Sequence, residues 1–403
     1  MVSGTVKNGL FFTGIYLFHK IRNRLMHLLG EQRYLFIKNV YRTSFSRHAL
    51  VSYLPDPFFR PGFTGHSNFQ EILAICSALN DQKFTVDVVH FLDTRTVDYR
   101  RYQYIIGFGT PFNKSHLVPN NAVKIMVATG AHYCFQTHAE LKRISEFKAR
   151  TNFEVRPRRI NPNNWGESFL SEYLIVTGNS WTASTFDGYY NGKIFNIPVT
   201  AIDYYSGRKL HRSWDSAKKH FLWFGGSGLI HKGLDLAIEA FVMSKNVELH
   251  ICGPYEDDFF KAYKKVLEEN PHIRYHGFLD IHSALFNEIL QNCGFVILPS
   301  CSEGQASSVI TAMFSGLIPV LTRECGIDLH DFVTPITDIR VAALASLVTS
   351  MSETASEELS ERSEQTIDYV LKNNTLKKYS EVFAKIFEQI LYDKHDTNYL
   401  SGL

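Results

Sequence analysis

The stretch HFLWFGGSGLIHKG, residues 220–233, starts as an unbroken apolar run and ends in glycines and a lysine, just before the helical stripe Leu234, Ala237, Ile238, Phe241 and Val242. A run apolar on both faces suits a strand of a parallel sheet, where helices cover each side. Glycines at the strand-to-helix turn bring backbone N–H groups to a helix start that favours an anion, and Lys232 adds a point charge. A phosphate fits such a turn, although glycines at this place also serve simply to permit tight packing. It is not a Walker A loop, because Gly233 follows the lysine where Ser or Thr is required.

Downstream, the same strand-and-helix alternation continues through VELHICG (247–253), IRYHGF (273–278), GFVILPS (294–300) and IPVLT (318–322). Upstream, HALVSYLP (48–55), FTVDVVHFL (84–92), YQYIIGFG (102–109), VKIMVAT (123–129), EYLIVTG (172–178) and KIFNIPV (193–199) make an earlier set, with helical or irregular crossovers between them. Alternation of this kind predicts an α/β protein with two Rossmann-like, doubly wound sheets, and ligands are then expected beyond the carboxyl ends of the strands. The 403-residue length agrees with two domains of roughly 100–200 residues each. The expected division is a basic aromatic extension (1–48), a first Rossmann-like domain (49–204), a second (205–375) and an amphipathic helix (376–403) carrying Tyr379, Val382, Phe383, Ile386, Phe387, Ile390 and Leu391. The acidic stretch 352–365 reads as a solvated helix face or linker.

Composition narrows the function classes. A net charge of +2 argues against a general nucleic-acid binder. Residues 1–48 hold eight Lys or Arg against the single Glu31, a net +7, which leaves −5 for the rest. The apolar run 10–18 is too short to span a bilayer and lacks a small-residue cleavage site. Basic residues beside aromatics suit an anionic membrane surface, and equally a solvated or packed extension. Six cysteines without CxxC or metal-like spacing suggest neither zinc nor disulfides, and a reducing, cytoplasmic setting is expected.

A second motif, PSCSEGQASSVITAMFSG (299–316), sets Glu303 between an apolar run and a helix-like pattern, where a carboxylate either caps the helix or holds something neutral beside an anion. The two motifs together resemble the retaining nucleotide-sugar glycosyltransferases of GT-B family 4, through Lys232-Gly233, Glu303-Gly304 to Ser308, Ala312-Met313, Gly316 and Ile318-Pro319-Val320. The resemblance covers about residues 220–330 well and the first half loosely. It implies a GT-B fold with the two domains facing a central cleft, no cofactor beyond a nucleotide-diphosphate sugar as donor substrate, and transfer with retention to a glycan or glycolipid hydroxyl. It also implies no metal, in keeping with the lack of any Asp-x-Asp triplet.

By the same resemblance, Lys232 and the 304–308 loop hold the diphosphate, Glu303 accepts hydrogen bonds from sugar hydroxyls, and His132 lines the reacting centre. Gly65 and His66 would cover the phosphates. Gly225, Gly226, Ser227, Phe278, Leu279, Gln305, Ala306, Ser307, Ser308 and Thr311 complete the donor site. Two positions depart from the pattern. Thr311 stands where many members carry a second glutamate, and Ser227 and Gly228 are the nearest equivalents of a frequent arginine. Three other readings stay open. One is a nucleotide-sugar epimerase or hydrolase on the same scaffold, and another is a sugar-nucleotide-binding protein without catalysis. The third is a dinucleotide oxidoreductase, which needs an acidic residue closing the next strand, whereas that strand closes in Cys252-Gly253-Pro254. The run Arg156, Arg158, Arg159 and the stretch NSWTAST (179–185) read as solvated or acceptor-facing.

Overall fold

The computed structural model describes residues 34–59, 67–160, 170–200 and 212–400. The Gly65 and His66 expectations, and the basic segment up to residue 33, lie outside them. Two sheets are present. The first holds β1 (Phe36–Ile37), β2 (Arg47–Tyr53), β3 (Phe84–His90), β4 (Tyr104–Gly107), β5 (Val123–Ala128), β6 (Tyr173–Thr177) and β7 (Lys193–Ile197), in the order β1-β3-β2-β4-β5-β6-β7. All its pairings are parallel except β1 with β3. The second holds β8 (His220–Phe224), β9 (Glu248–Cys252), β10 (Ile273–Gly277), β11 (Phe295–Leu298), β12 (Ile318–Leu321) and β13 (Thr334–Pro335), all parallel, in the order β10-β9-β8-β11-β12-β13.

Parallel strands cannot be joined by tight turns, so each connection crosses a face of the sheet, usually as a helix, and the strands become buried on both sides. Every residue of β11 is buried, and Phe295 stacks on Phe221 of β8 at 4.5 Å. In the second sheet strand addition reverses direction between β8 and β11. The loops leaving these two strands part to opposite faces, and a crevice opens between them at the carboxyl edge. They are the two motifs of the sequence, 225–233 and 299–306. The first sheet reverses in the same way between β2 and β4.

Two long helices tie the halves together. Helix Tyr133–Thr151 leaves the end of β5, and its Phe147 is buried in the core of the second half, against Phe259 and Tyr263. Its Arg150 pairs with Asp235 and, at 3.0 Å, with Glu239. Helix Leu376–Leu400 returns to the first half. Tyr379, Phe383, Ile386, Phe387 and Ile390 make one stripe that packs with the first sheet and helix Ser67–Asp81, Phe387 meeting Tyr104 and Phe84 edge-on at 5.2 and 5.9 Å.

Within the segment read as an extension, Phe36–Ile37 pairs with β3, anchored by Leu35 in the core and by Tyr34 stacked on His90 at 4.3 Å. The acidic stretch 352–365 lies mostly in helix Ser356–Asn373, which buries Leu359, Thr366 and Val370 and so is more than a solvated face. Among the described residues no helix is long and apolar enough to cross a membrane.

Candidate active site at the crevice between the two sheets

Lys232 and Glu303, 71 residues apart in sequence, meet in the β8/β11 crevice as a buried ion pair. Loop geometry brings them together. Lys232 ends the turn after β8, and Gly233, the residue after it, takes a left-handed conformation in which a Cβ would stand 2.3 Å from Pro299 O. The two loops are then stitched by His231, whose ring bonds Ser302 O and whose carbonyl accepts from Cys301 N–H at 2.9 Å. Burial pushes the His231 ring down to about 4, so it is neutral at ordinary pH.

Glu303 also accepts from Ser300 Oγ at 3.1 Å. Burial pushes its carboxyl up, but Lys232, then Arg159 and His231, outweigh that and hold it down at about 2. Because His231 is neutral above about 4, the two cations carry the effect near neutrality. The helix-cap reading of Glu303 does not hold. Helix Ser307–Phe314 has Ala306 at its N-cap, and the Glu303 carboxylate points to Lys232 instead.

The first half closes over this pair. Ala131 N–H donates to Glu303 O at 3.2 Å, and Thr182 Oγ1 to Gly304 O at 3.0 Å. A Cβ on Gly304 would stand 2.7 Å from Thr129 O and 2.8 Å from Thr177 O, so only a glycine lets the ends of β5 and β6 approach this loop. His132 follows directly after Ala131. Its Nδ1 accepts from Cys134 N–H at 3.3 Å, capping helix Tyr133–Thr151, and its ring stacks on Tyr189 at 4.0 Å. Burial pushes its pKa down to about 4. A neutral ring that accepts at Nδ1 carries its proton on Nε2, an assignment made from the hydrogen bond. His132 therefore offers a donor, not a base, at Nε2.

The remaining expected residues divide into three sets. Gly226 and Ser227 are exposed on the turn, and Phe278 stands 75% exposed after β10 while Leu279 packs on the second core. Ser307 and Ser308 open the helix after Glu303, where N–H groups point outward. Other groups are already engaged. Gly225 N–H bonds Cys252 O, Ala306 N–H bonds Cys325 O, and the Gln305 side chain joins Val199 N–H to Asn374. Thr311 Oγ1 bonds back to Ser307 O at 2.8 Å, within its own helix.

The expectation that the glycine turn offers its N–H groups to a phosphate needs correction at its centre. Glu256, buried just after β9, accepts from Ser227 Oγ (2.9 Å), Gly228 N–H (2.7 Å) and Leu229 N–H (3.4 Å). The cations, more than this turn's amides, are what the crevice offers an anion. Sequence reading missed Glu256 and His231. The adjacency of His231 to Lys232 was the one signal for it, and Glu256 had only its place beyond a strand end.

Metal-ligating groups converge elsewhere. His220, Glu248 and His250 lie near the amino ends of β8 and β9, away from the crevice. They are partnered already, His220 Nδ1 with His250 Nε2 at 3.1 Å and Glu248 with Arg274 at 2.9 Å.

Residues 208–329 match the family model described as glycosyl transferases group 1. That segment contains both crevice motifs and covers less than half of the chain. No curated protein sequence matches the chain. Among solved structures, sucrose-phosphate synthase from Thermosynechococcus elongatus is 11% identical, with 86% of this chain and 100% of that one covered and a TM-score of 0.60. A protein of Anabaena, HepE, solved with UDP and glucose, is 12% identical over 85% of this chain and 100% of that one, with a TM-score of 0.54. A mutant of S. aureus TarM, solved with fondaparinux, alpha-GlcNAc-glycerol and UDP, is 15% identical over 79% of this chain, with a TM-score of 0.51. The chain spans 58% of the TarM chain. At these identities the likeness establishes the fold, which is the GT-B arrangement of two Rossmann-like halves about a cleft.

Proposed function

We propose that the chain is a glycosyltransferase moving a sugar from a nucleoside-diphosphate donor to an acceptor hydroxyl, with retention and without a metal. The observation that carries this is the buried Lys232–Glu303 pair at the strand-order reversal, with Ala131, the residue before His132, bonded to Glu303 O from the opposite half. The group 1 segment supports the reaction class, and the UDP in the S. aureus and Anabaena structures supports the donor class.

The arrangement suits the chemistry. A departing diphosphate develops negative charge and needs fixed positive charge near it, which Lys232 and the N–H groups at the start of helix Ser307–Phe314 supply. Once the diphosphate takes Lys232 as a partner, a Glu303 oxygen is released to accept from sugar hydroxyls. The carboxylate thus orients the neutral part of the donor while the cation holds the charged part. The acceptor hydroxyl attacks the anomeric carbon on the face that the diphosphate leaves, the glycosidic bond to phosphate breaks, and the leaving phosphate oxygen takes the hydroxyl proton. No strong base is required, which agrees with His132 as a neutral Nε2–H donor. The exposed Phe278 offers a stacking face for the nucleoside base. A glycan or glycolipid acceptor, met in the cytoplasm at an anionic membrane surface, is the setting that the basic 1–48 segment favours.

Thr311 favours a second reading, binding without turnover, since its hydroxyl is spent within the helix and supplies no carboxylate at that position. A screen of nucleotide sugars by thermal unfolding separates the outcomes. A donor at about 100 times its dissociation constant adds roughly 2.7 kcal/mol to the folded state. Stabilisation with release of nucleoside diphosphate on adding acceptor supports transfer, stabilisation without release supports binding alone, and no stabilisation by any nucleotide sugar rejects both.

A further inference from the structure

Several arginines stand along helix Tyr133–Thr151 and the segment after it, and most have partners. Arg143 donates to Pro299 O at 3.1 Å, Arg150 pairs with Asp235 and Glu239, and Arg158 pairs with Asp258 at 2.7 Å. The Arg159 side chain has no hydrogen-bond or ion-pair partner among the described residues, and its Nε is buried without one. A buried donor left so is costly, and a guanidinium is a strong one.

The residue is nevertheless held firmly. Its N–H donates to both carboxylate oxygens of the buried Glu140, at 3.0 and 2.9 Å, and its carbonyl accepts from Gln136 Nε2 at 2.5 Å. Its stem crosses to the other half and lies over the glycine turn. Gly228 has φ +93°, and a Cβ there would stand 2.8 Å from Arg159 Cγ and 3.1 Å from Cδ. The guanidinium also acts on Glu303 as the next cation after Lys232.

We propose that Arg159 supplies, from the first half of the chain, the second cation of the diphosphate site beside Lys232. The 225–233 turn carries no arginine, its central amides are taken by Glu256, and the stem of Arg159 occupies the space above Gly228. A planar fork of donors matches two phosphate oxygens at once, which an ammonium cannot do. Because the fork comes from the opposite half, the departing diphosphate is fully held only while the halves are closed, which ties closure to the chemistry. This inference rests on the nucleoside-diphosphate-sugar reading above.

Calorimetric titration of the wild type, Arg159→Ala and Arg159→Lys with UDP, GDP, ADP and TDP, and with the matching nucleosides, tests it. The wild type is expected to bind at least one diphosphate. Arg159→Ala should weaken that diphosphate about tenfold or more and its nucleoside by less than about twofold, with Arg159→Lys between. Thermal midpoints of both variants should confirm that they fold, since the side chain makes no hydrogen bond that folding depends on. Diphosphate affinity unchanged in Arg159→Ala, or an equal loss for diphosphate and nucleoside, overturns the Arg159 assignment and leaves the donor reading standing. A wild type that binds none of the four diphosphates overturns both.

Discussion

Lys232 and Glu303 neutralise each other inside the crevice, so removing one leaves the other buried and charged. Lys232→Met is expected to cost roughly 3 kcal/mol at neutral pH, measured by denaturant unfolding. The double variant with Glu303→Gln should recover much of that, because the carboxylate then has no charge to leave unpaired. Additive losses in the double variant would contradict the pairing. Both residues were legible in the sequence, because each follows an apolar run with small residues around it. Their mutual contact was not, since the residue types suited one to phosphate and the other to sugar, and nothing in the spacing said that they meet. Glu256 was hidden for the same reason, as a lone acid after Gly253-Pro254-Tyr255 looks like any surface loop.

At the scale of elements, helix Ser67–Asp81 turns Glu71 into the core, where Tyr53 OH donates to it at 2.9 Å. Burial pushes its carboxyl from 4.5 up to about 7. The unfolded chain therefore releases this proton at lower pH than the folded one, and stability falls as pH rises from about 4.5 to about 7, then levels. The fall should amount to roughly 3 kcal/mol, and Glu71→Gln should remove it. Thermal midpoints from pH 4.5 to 7.5 check this, and an equal slope in the variant would contradict it. Most strands could be read from their apolar runs, and the last helix from its stripe of Tyr379, Phe383 and Phe387. β1 and β13 could not, because two residues carry no periodicity and owe their pairing to neighbours such as Leu35 and the β12 edge.

For the molecule as a whole, two sheets were legible from their alternation, but their facing across a cleft came only through the family resemblance, because the contacts among Thr129, Thr177 and Gly304 that fix it leave no pattern in the sequence. Gly304→Val is expected to push the halves apart, since its Cβ would meet Thr129 O at 2.7 Å. Small-angle scattering should report a larger radius of gyration for this variant, and an unchanged radius would show that the halves are not held at this loop. The central claim is that Glu303 serves sugar transfer at the closed crevice. It is tested most directly by following nucleoside diphosphate release from the stabilising nucleotide sugar and acceptor, in wild type and Glu303→Gln. The account predicts turnover in the wild type and its loss by about a hundredfold or more in the folded, donor-binding variant. Turnover in Glu303→Gln at the wild-type rate would contradict it.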